Sequence, residues 1–231
     1  MEGNCKMINL INPELFDYAF PWGNHCNKTA INLEKNVHWL ANSIVFDSIK
    51  EPSVGWIKDE TTLYQIKEIK SEYSCGLIVS KDQHGYGVYR MKCLLPNFRG
   101  SWVGFWLYDV IPPPQGIQCE VDFEHFRKDA CLFGTRHKLS FTYHDGDRTD
   151  IIKNAWSLFA WDRKEVTIQL IWQPDFFSWA VNGRTVMTIY KRDVVQFPTK
   201  PMNIIVNSGF GNWGIQDDRL QPLIVTEFTK Q

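Results

Sequence analysis

Three acidic residues alternate along one short segment, Cys119-Glu120-Val121-Asp122-Phe123-Glu124-His125-Phe126. On a β-strand, residues two apart share a face, so Glu120, Asp122 and Glu124 would form one row while the residues between them face a core. Like charges in a row repel each other, and an ordinary solvent face usually includes Lys, Thr or Ser. Taken alone, the row leaves three interpretations open: a solvated strand face, catalytic carboxylates and a divalent-ion site.

Two carboxyl groups of this row suit the hydrolysis of a glycosidic bond. A retaining glycosidase uses one carboxylate as nucleophile and one carboxylic acid as proton donor, so the two groups must differ in protonation. A third carboxylate between them raises the pKa of the acid and shares a hydrogen bond with the nucleophile. Strand geometry separates the Cα atoms of Glu120 and Glu124 by about 13 Å. Two long side chains must therefore lean together to reach the roughly 5–5.5 Å of retaining enzymes.

Composition argues against several other classes of function. The chain has 231 residues, with 25 basic against 26 acidic residues and a net charge of -1, whereas nucleic-acid binding needs surplus Lys and Arg. The sequence contains no run of 18 apolar residues, so it predicts no membrane span. The opening segment MEGNCKMINL lacks the apolar core of a signal peptide. The 6 histidines and 6 cysteines show no HxH, HxxxH or CxxC spacing, so we predict no zinc site and name no metal ligands.

Short alternating runs, separated by turn signals, cover most of the chain. Typical examples are Gly87–Leu95, Ser101–Tyr108 and Val166–Trp172, and Asn182-Gly183 is a good hairpin turn. A helical period is weakly visible only at residues 32–41. The 33 aromatic residues (10 Trp, 15 Phe and 8 Tyr) favour strands and can also stack on sugar rings. We predict an all-β fold, a jelly-roll sandwich of two curved antiparallel sheets in a single domain over residues 1–231.

Several segments, taken in order, resemble glycoside hydrolase family 16, whose jelly roll is similar to that of concanavalin-type lectins. They are GYGVYRMK from Gly85, GSWVGFWLY from Gly100, EVDFE from Glu120, IWQPD from Ile171, WAVNG from Trp179 and PMNIIVN from Pro201. The matches cover roughly residues 70 to 228. Residues 1–60 carry little family signal, and we expect the tryptophans there, including Trp22, to cover a sandwich edge or shape one end of a cleft.

The resemblance implies retaining endo-hydrolysis of a β-linked polysaccharide, such as a β-glucan. Glu120 would be the nucleophile, Glu124 the general acid/base and Asp122 the helper. No cofactor would be required. A structural Ca²⁺ occurs in many members, but no segment here identifies its ligands. The expected partner is the polysaccharide alone, the expected state a monomer, and the resemblance implies a secreted or periplasmic protein.

The resemblance also implies a set of sugar-binding residues. Trp106 and Tyr108 lie at positions similar to aromatic sugar platforms, Asn207 matches a polar cleft residue, and His144 is expected beside the cleft on the next strand.

Three departures from the family pattern leave the substrate open. Gln118-Cys119 precedes the first glutamate, where Trp-Asp or His-Asp is usual. Leu77-Ile78-Val79 stands where the family commonly has an Arg and lichenases also have a Glu. Thr142 and His144 stand where lichenases show Asn and Tyr. Two alternatives therefore remain: a carbohydrate-binding sandwich without hydrolysis, and a Ca²⁺-dependent lectin that uses the acids as ligands.

Overall fold

The structure is a computed structural model that describes residues 7–26, 29–58, 66–110, 119–131, 134–144, 150–157, 165–211 and 220–231. These residues form almost only β-strands, with short 3-10 turns at Pro13–Leu15, Glu34–Asn36 and Lys191–Asp193. The strands are β1 (Ile8–Asn9), β2 (Phe16–Asp17), β3 (His25–Cys26), β4 (Ala30–Asn32), β5 (Val37–Leu40), β6 (Ser43–Phe46), β7 (Ser48–Lys58), β8 (Ile66–Cys75), β9 (Leu77–Ser80), β10 (Gly87–Leu94), β11 (Ser101–Tyr108), β12 (Glu120–Cys131), β13 (Gly134–His144), β14 (Asp150–Ser157), β15 (Glu165–Gln173), β16 (Phe176–Val181), β17 (Arg184–Tyr190), β18 (Asn203–Phe210) and β19 (Leu223–Lys230).

Two large antiparallel sheets confirm the predicted sandwich. An eight-stranded sheet has the order β17-β16-β15-β10-β19-β6-β5, with β1 also paired to β19. A seven-stranded sheet has the order β14-β13-β12-β11-β18-β9-β2. Within the described residues, no helix is long and apolar enough to cross a bilayer.

A third sheet, β3-β4-β8-β7, was not predicted, and it includes one parallel pair, β4 with β8. The weak helical period at residues 32–41 was misleading. That segment holds a single 3-10 turn and then β5, because its apolar residues pair with β6 rather than covering a helix face.

The inner faces of the two large sheets form one continuous apolar core. Period-two alternation places Val121 and Phe123 of β12 in this core, each fully buried, and the acidic residues between them on the outer face of the seven-stranded sheet. His125 shares the inward face and is fully buried opposite Val103 and Leu139. Burying each of these large apolar side chains stabilises the fold by about 1.5–3 kcal/mol, so β12 cannot slip by one residue without exposing them.

One buried indole ties the two large sheets together at the acidic strand. The Nε1 atom of Trp179 on β16 donates a hydrogen bond of 2.9 Å to the backbone carbonyl of Asp122 on β12. A similar bond of 3.2 Å joins Trp172 to the carbonyl of Pro198. Both indoles are almost fully buried, so each bond lies where water cannot replace it.

We expect Trp179→Phe to lower the free energy of unfolding by about 1–3 kcal/mol, because it leaves the Asp122 carbonyl without this buried donor. Denaturant unfolding followed by circular dichroism measures the change. Trp172→Phe should cost a similar amount, whereas Tyr190→Phe, at an exposed side chain, should cost almost nothing. Equal stability of the Trp179 and Tyr190 variants would show that the indole bond contributes little.

Candidate active site

The three acidic side chains lie side by side on the outer face of the seven-stranded sheet, as the alternation of β12 predicts. Neighbouring strands present matching rows in register: Tyr108, Glu120 and His144 form one row, Trp106, Asp122 and Thr142 the next, and Gly104, Glu124 and Ser140 the third. Asp122, in the middle, is only 5% exposed. The sheet ladder therefore holds the carboxylates close together and partly removes them from water.

A cavity of about 260 Å³ opens over this row. Its lining comes from the N-terminal part of the chain and from strands β9, β11, β12, β13 and β18: Phe20, Trp22, His25, Asn32, Leu77, Trp102, Gly104, Trp106, Glu120, Asp122, Glu124, His144 and Asn207. Six of the seven predicted site residues are among them. Tyr108 is not; it lies on the same face but packs edge-on against Trp22, with ring centroids 6.0 Å apart. Burial raises the pKa of Tyr108 to about 12, so its hydroxyl stays protonated at neutral pH.

Two indole N–H groups orient polar side chains of the cavity. Trp102 donates a 3.0 Å hydrogen bond to Oε1 of Glu124, and Trp106 donates one of 3.0 Å to Oδ1 of Asn207. Gly104 makes room for the second bond, because a Cβ atom there would lie 2.5 Å from Oδ1 of Asn207. The indoles thus fix one carboxylate and one amide against the sheet.

Burial shifts the proton affinities of both glutamates, and a neighbouring carboxylate adds to the shift at Glu120. Burial, then the neighbouring Asp122 carboxylate, raises the pKa of Glu120 well above its usual range, and His144 acts in the opposite direction. Burial also raises the pKa of Glu124, although the Trp102 bond counteracts part of the rise. Carboxylates this close cannot all be ionised at low cost. The cluster therefore keeps a proton at a pH where an exposed glutamate has lost its own.

Glu120, Asp122 and His144 also offer ligand atoms within 4.8 Å of one another, with Nε2 of His144 3.2 Å from Oδ2 of Asp122. Among the described residues no second group of three has such spacing. Two carboxylates and one imidazole do not make the six to eight oxygen ligands that Ca²⁺ prefers. The set resembles the mixed ligands of zinc sites more closely, and we assign no metal ion to it.

Sequence reasoning missed part of the cavity. Trp102 could have been found, because alternation in Ser101–Tyr108 places it on the same face as Trp106. Phe20, His25 and Asn32 carried no comparable signal, since contacts between segments far apart in sequence bring them to the site: His25 and Asn32 lie in the third sheet, and Phe20 packs on β9 and β18. Trp22 fulfils the expectation of an aromatic residue at one end of the cleft. Gln118, one of the noted departures, lies outside the described residues.

Comparisons with known proteins agree with this geometry. The sequence profile of "Glycosyl hydrolases family 16" matches residues 34–220. The fold is similar to a Bacillus licheniformis β-glucanase, at 17% identity over 100% of this chain and 99% of that one, with a TM-score of 0.70. It is also similar to the catalytic domain of an endo-1,3-β-glucanase (laminarinase) from Thermotoga petrophila, at 16% identity over 96% and 92% of the two chains and a TM-score of 0.70.

A third similar structure is the κ-carrageenase of Pseudoalteromonas carrageenovora, at 14% identity over 100% and 96% of the two chains, with a TM-score of 0.67. A search of curated protein sequences finds no significant match. The structural matches extend over the first 33 residues, which the family profile does not cover.

The raised pKa of Glu120 makes stability depend on pH. The folded protein binds this proton more tightly than the unfolded chain does, so the free energy of unfolding falls as pH rises from about 4.3 through the raised pKa. We expect Glu120→Gln to remove part of that fall and to make the protein more stable than wild type at neutral pH. Thermal unfolding between pH 4 and 8 measures both curves. Glu14→Gln, at an exposed glutamate, should leave the curve unchanged, and identical curves for all three proteins would contradict the expectation.

Proposed function

Because the chain belongs to glycosyl hydrolase family 16, we propose that its cleft cleaves a β-linked polysaccharide internally, with retention of configuration at the anomeric carbon. The observation that carries the proposal is the row of three carboxyl groups at the floor of a cavity bordered by tryptophans. Apolar indole faces suit the C–H faces of pyranose rings. Paired carboxyl groups are the machinery that glycoside hydrolysis requires.

Each acidic residue has a distinct role in the proposed reaction. The Glu120 carboxylate attacks the anomeric carbon while Glu124 gives its proton to the departing glycosidic oxygen, which leaves a glycosyl ester on Glu120. Glu124, now ionised, removes a proton from water, and the resulting hydroxide displaces Glu120 from the sugar. Both carboxyl groups return to their starting states. Water and two side chains suffice for this chemistry, so no cofactor takes part.

The electrostatics of the cluster support these roles. The raised pKa of Glu124 keeps a proton available for the leaving oxygen. In the free protein the neighbouring Asp122 helps to keep a proton on Glu120, and attack requires that this proton leave Glu120. His144 acts to lower the pKa of Glu120 and contacts Asp122 at 3.2 Å, so the imidazole favours the ionised form of Glu120 that acts as the nucleophile.

The charge of the cavity narrows the substrate class to neutral glycans. Among the described lining residues there is no Lys or Arg, whereas three carboxyl groups are present. A sulfate or uronate group would be repelled by these carboxylates and would find no Lys or Arg among the described lining residues. Since the same fold occurs in a κ-carrageenase, the fold alone does not determine the substrate, and we infer that the residues lining the cavity do. We therefore favour an uncharged β-glucan.

We expect the wild-type protein to release oligosaccharides from one neutral β-glucan in a panel of mixed-linkage glucan, laminarin, xyloglucan, agarose, porphyran and carrageenan. Proton NMR at early times should show the β-anomer first, because retention preserves the configuration. Glu120→Gln and Glu124→Gln should each lower kcat at least about 100-fold. EDTA should leave the rate unchanged.

Glu165→Gln is the control for that assay, because Glu165 pairs with Lys92 on the other sheet, away from the cavity. Binding to one glycan without hydrolysis, and with affinity retained in Glu120→Gln, would instead indicate a carbohydrate-binding sandwich. Cleavage of a sulfated glycan alone would contradict the neutral substrate.

The pH profile tests the role of His144. Activity requires Glu120 ionised, so we expect the acid limb of kcat/KM to lie above the usual glutamate range. In His144→Asn this limb should move to still higher pH, because the charge that lowers the pKa of Glu120 is gone. His38→Asn is the control, since His38 bonds Asp47 outside the cavity. An acid limb that does not move in His144→Asn would show that His144 does not assist Glu120.

A further inference from the structure

One end of the cavity is bordered by residues from the N-terminal part of the chain. Phe20 is nearly buried and packs with Leu77, Val79 and Ile205 on the outer face of the seven-stranded sheet. Its ring stacks on Trp22, with centroids 4.9 Å apart and planes within 3°. The apolar residues of β9 are thus covered by aromatic side chains rather than left open to a sugar.

Backbone hydrogen bonds to β7 hold this segment in place. The amide of Lys58 donates to the carbonyl of Trp22 at 2.8 Å, and the amide of Asn24 donates to the carbonyl of Trp56 at 3.1 Å. Gly23 adopts φ +154°, and a Cβ atom there would lie 2.7 Å from the Trp56 carbonyl oxygen. These contacts hold the backbone of the segment against β7, and the segment therefore forms one wall of the cleft.

The amide of Asn32 in this wall lacks a partner for its nitrogen. Asn32 is 2% exposed. Its Oδ1 accepts from the thiol of Cys75 at 3.1 Å, and its backbone N–H donates to Asn24 at 2.8 Å. Its Nδ2, in contrast, has no hydrogen-bond partner within the described part of the chain. Leaving a buried donor unpaired costs about 1–3 kcal/mol, so an oxygen atom from outside the protein is the natural partner.

The position of Asn32 indicates where that oxygen comes from. Asn32 lines the cavity over the carboxyl groups, and with Phe20 it also lines a second cavity of about 600 Å³ on the same face of the sheet. A sugar chain that leaves the first cavity in this direction passes the amide. The thiol of Cys75 fixes Oδ1, so Nδ2 is the atom presented. Asn207 offers a similar unpartnered Nδ2 nearer the carboxyl groups.

We propose that Asn32 is a specificity-determining residue, which donates a hydrogen bond from Nδ2 to a hydroxyl oxygen of a neutral β-glycan at the walled end of the cleft. The inference rests on the proposed function for the identity of the ligand, but it also predicts binding in the absence of hydrolysis. Among the described lining residues at this end, His25 and the indole N–H of Trp22 are the other polar groups, because Leu77 and Phe20 are apolar. Asn32 therefore adds a donor from the N-terminal wall to the one that Asn207 offers on the sheet.

The test separates recognition from folding by means of two buried asparagines of one segment. Asn32→Leu keeps the approximate size of the side chain and removes the donor. Asn36→Leu is the matched control, because Asn36 is fully buried, donates to Ser74 at 2.8 Å and does not line the cavity. Asn32→Ala is a second variant in case leucine does not fit.

We expect Asn32→Leu to raise KM for neutral β-glucan oligosaccharides about 3- to 10-fold, the worth of one neutral hydrogen bond, with kcat within twofold. Calorimetry in a Glu120→Gln background should show the same loss of affinity. The midpoint of thermal unfolding should be equal to or above that of wild type, because an unsatisfied buried donor is removed. Asn36→Leu should show the reverse, a lower midpoint with unchanged KM and affinity.

The outcomes distinguish this inference from the proposed function. Hydrolysis with KM and affinity unchanged in both Asn32 variants would overturn the role of Asn32 and leave the hydrolase standing. Asn32-dependent binding without hydrolysis by the wild type would support the role and overturn the hydrolase. Neither hydrolysis nor binding of any neutral glycan would overturn both.

Discussion

Three carboxyl groups lie close together on one face of a single strand, and the rest of the site must stabilise their negative charge. Their mutual repulsion and partial burial both oppose ionisation, and nothing within β12 itself relieves this. The relief comes from diagonal neighbours on the adjacent strands: His144 contacts Asp122, and the Trp102 N–H donates to Glu124. The paired strands β11, β12 and β13 thus determine the charge environment of the carboxyl groups as well as their positions.

The core provides the energy that holds this unfavourable face together. Val121 and Phe123 alternate with the acidic residues and are fully buried, so the strand cannot relieve the repulsion by twisting outward without exposing them. The indole of Trp179 adds a bond from the opposite sheet to the backbone of Asp122. A site that costs stability is supported here by apolar burial directly behind it, which is a common arrangement in enzymes.

Local pattern was sufficient to predict the strands that carry the acidic row. Period-two alternation placed Glu120, Asp122 and Glu124 on one face and His125 on the other. The structure agrees, because successive side chains of a strand point to opposite faces and Phe123 is buried in the core. The bounds of β11 were predicted to the residue for the same reason. Residues 32–41 were misread, since three or four apolar residues satisfy a helical period and a paired strand equally well.

What sequence reasoning could not predict depends on contacts between distant segments. Asn32 reaches the cavity only because β4 pairs in parallel with β8 and because the backbone of Asn24 bonds to it, and no local signal encodes either contact. The same holds for Phe20, whose partners lie on β9 and β18. The departure from the family pattern at Leu77-Ile78-Val79 was therefore informative only in part. It showed that the usual polar residues were absent, but not which side chains from other segments cover this position.

The division of the cleft suggests how the substrate of such a fold can change while its chemistry stays. The carboxyl groups belong to the middle of the seven-stranded sheet, where a substitution would break register, burial and charge balance at once. The wall of Phe20, Trp22 and Asn32 belongs to the N-terminal part of the chain: Asn32 lies on β4 of the small third sheet, and the carbonyl of Trp22 accepts a hydrogen bond from β7 of that sheet. Changes in that wall can alter which sugar hydroxyls are read without disturbing the pKa values on which bond cleavage depends. The reaction therefore depends on the seven-stranded sheet, which tolerates substitutions poorly, whereas selectivity depends on the N-terminal wall, which tolerates them better.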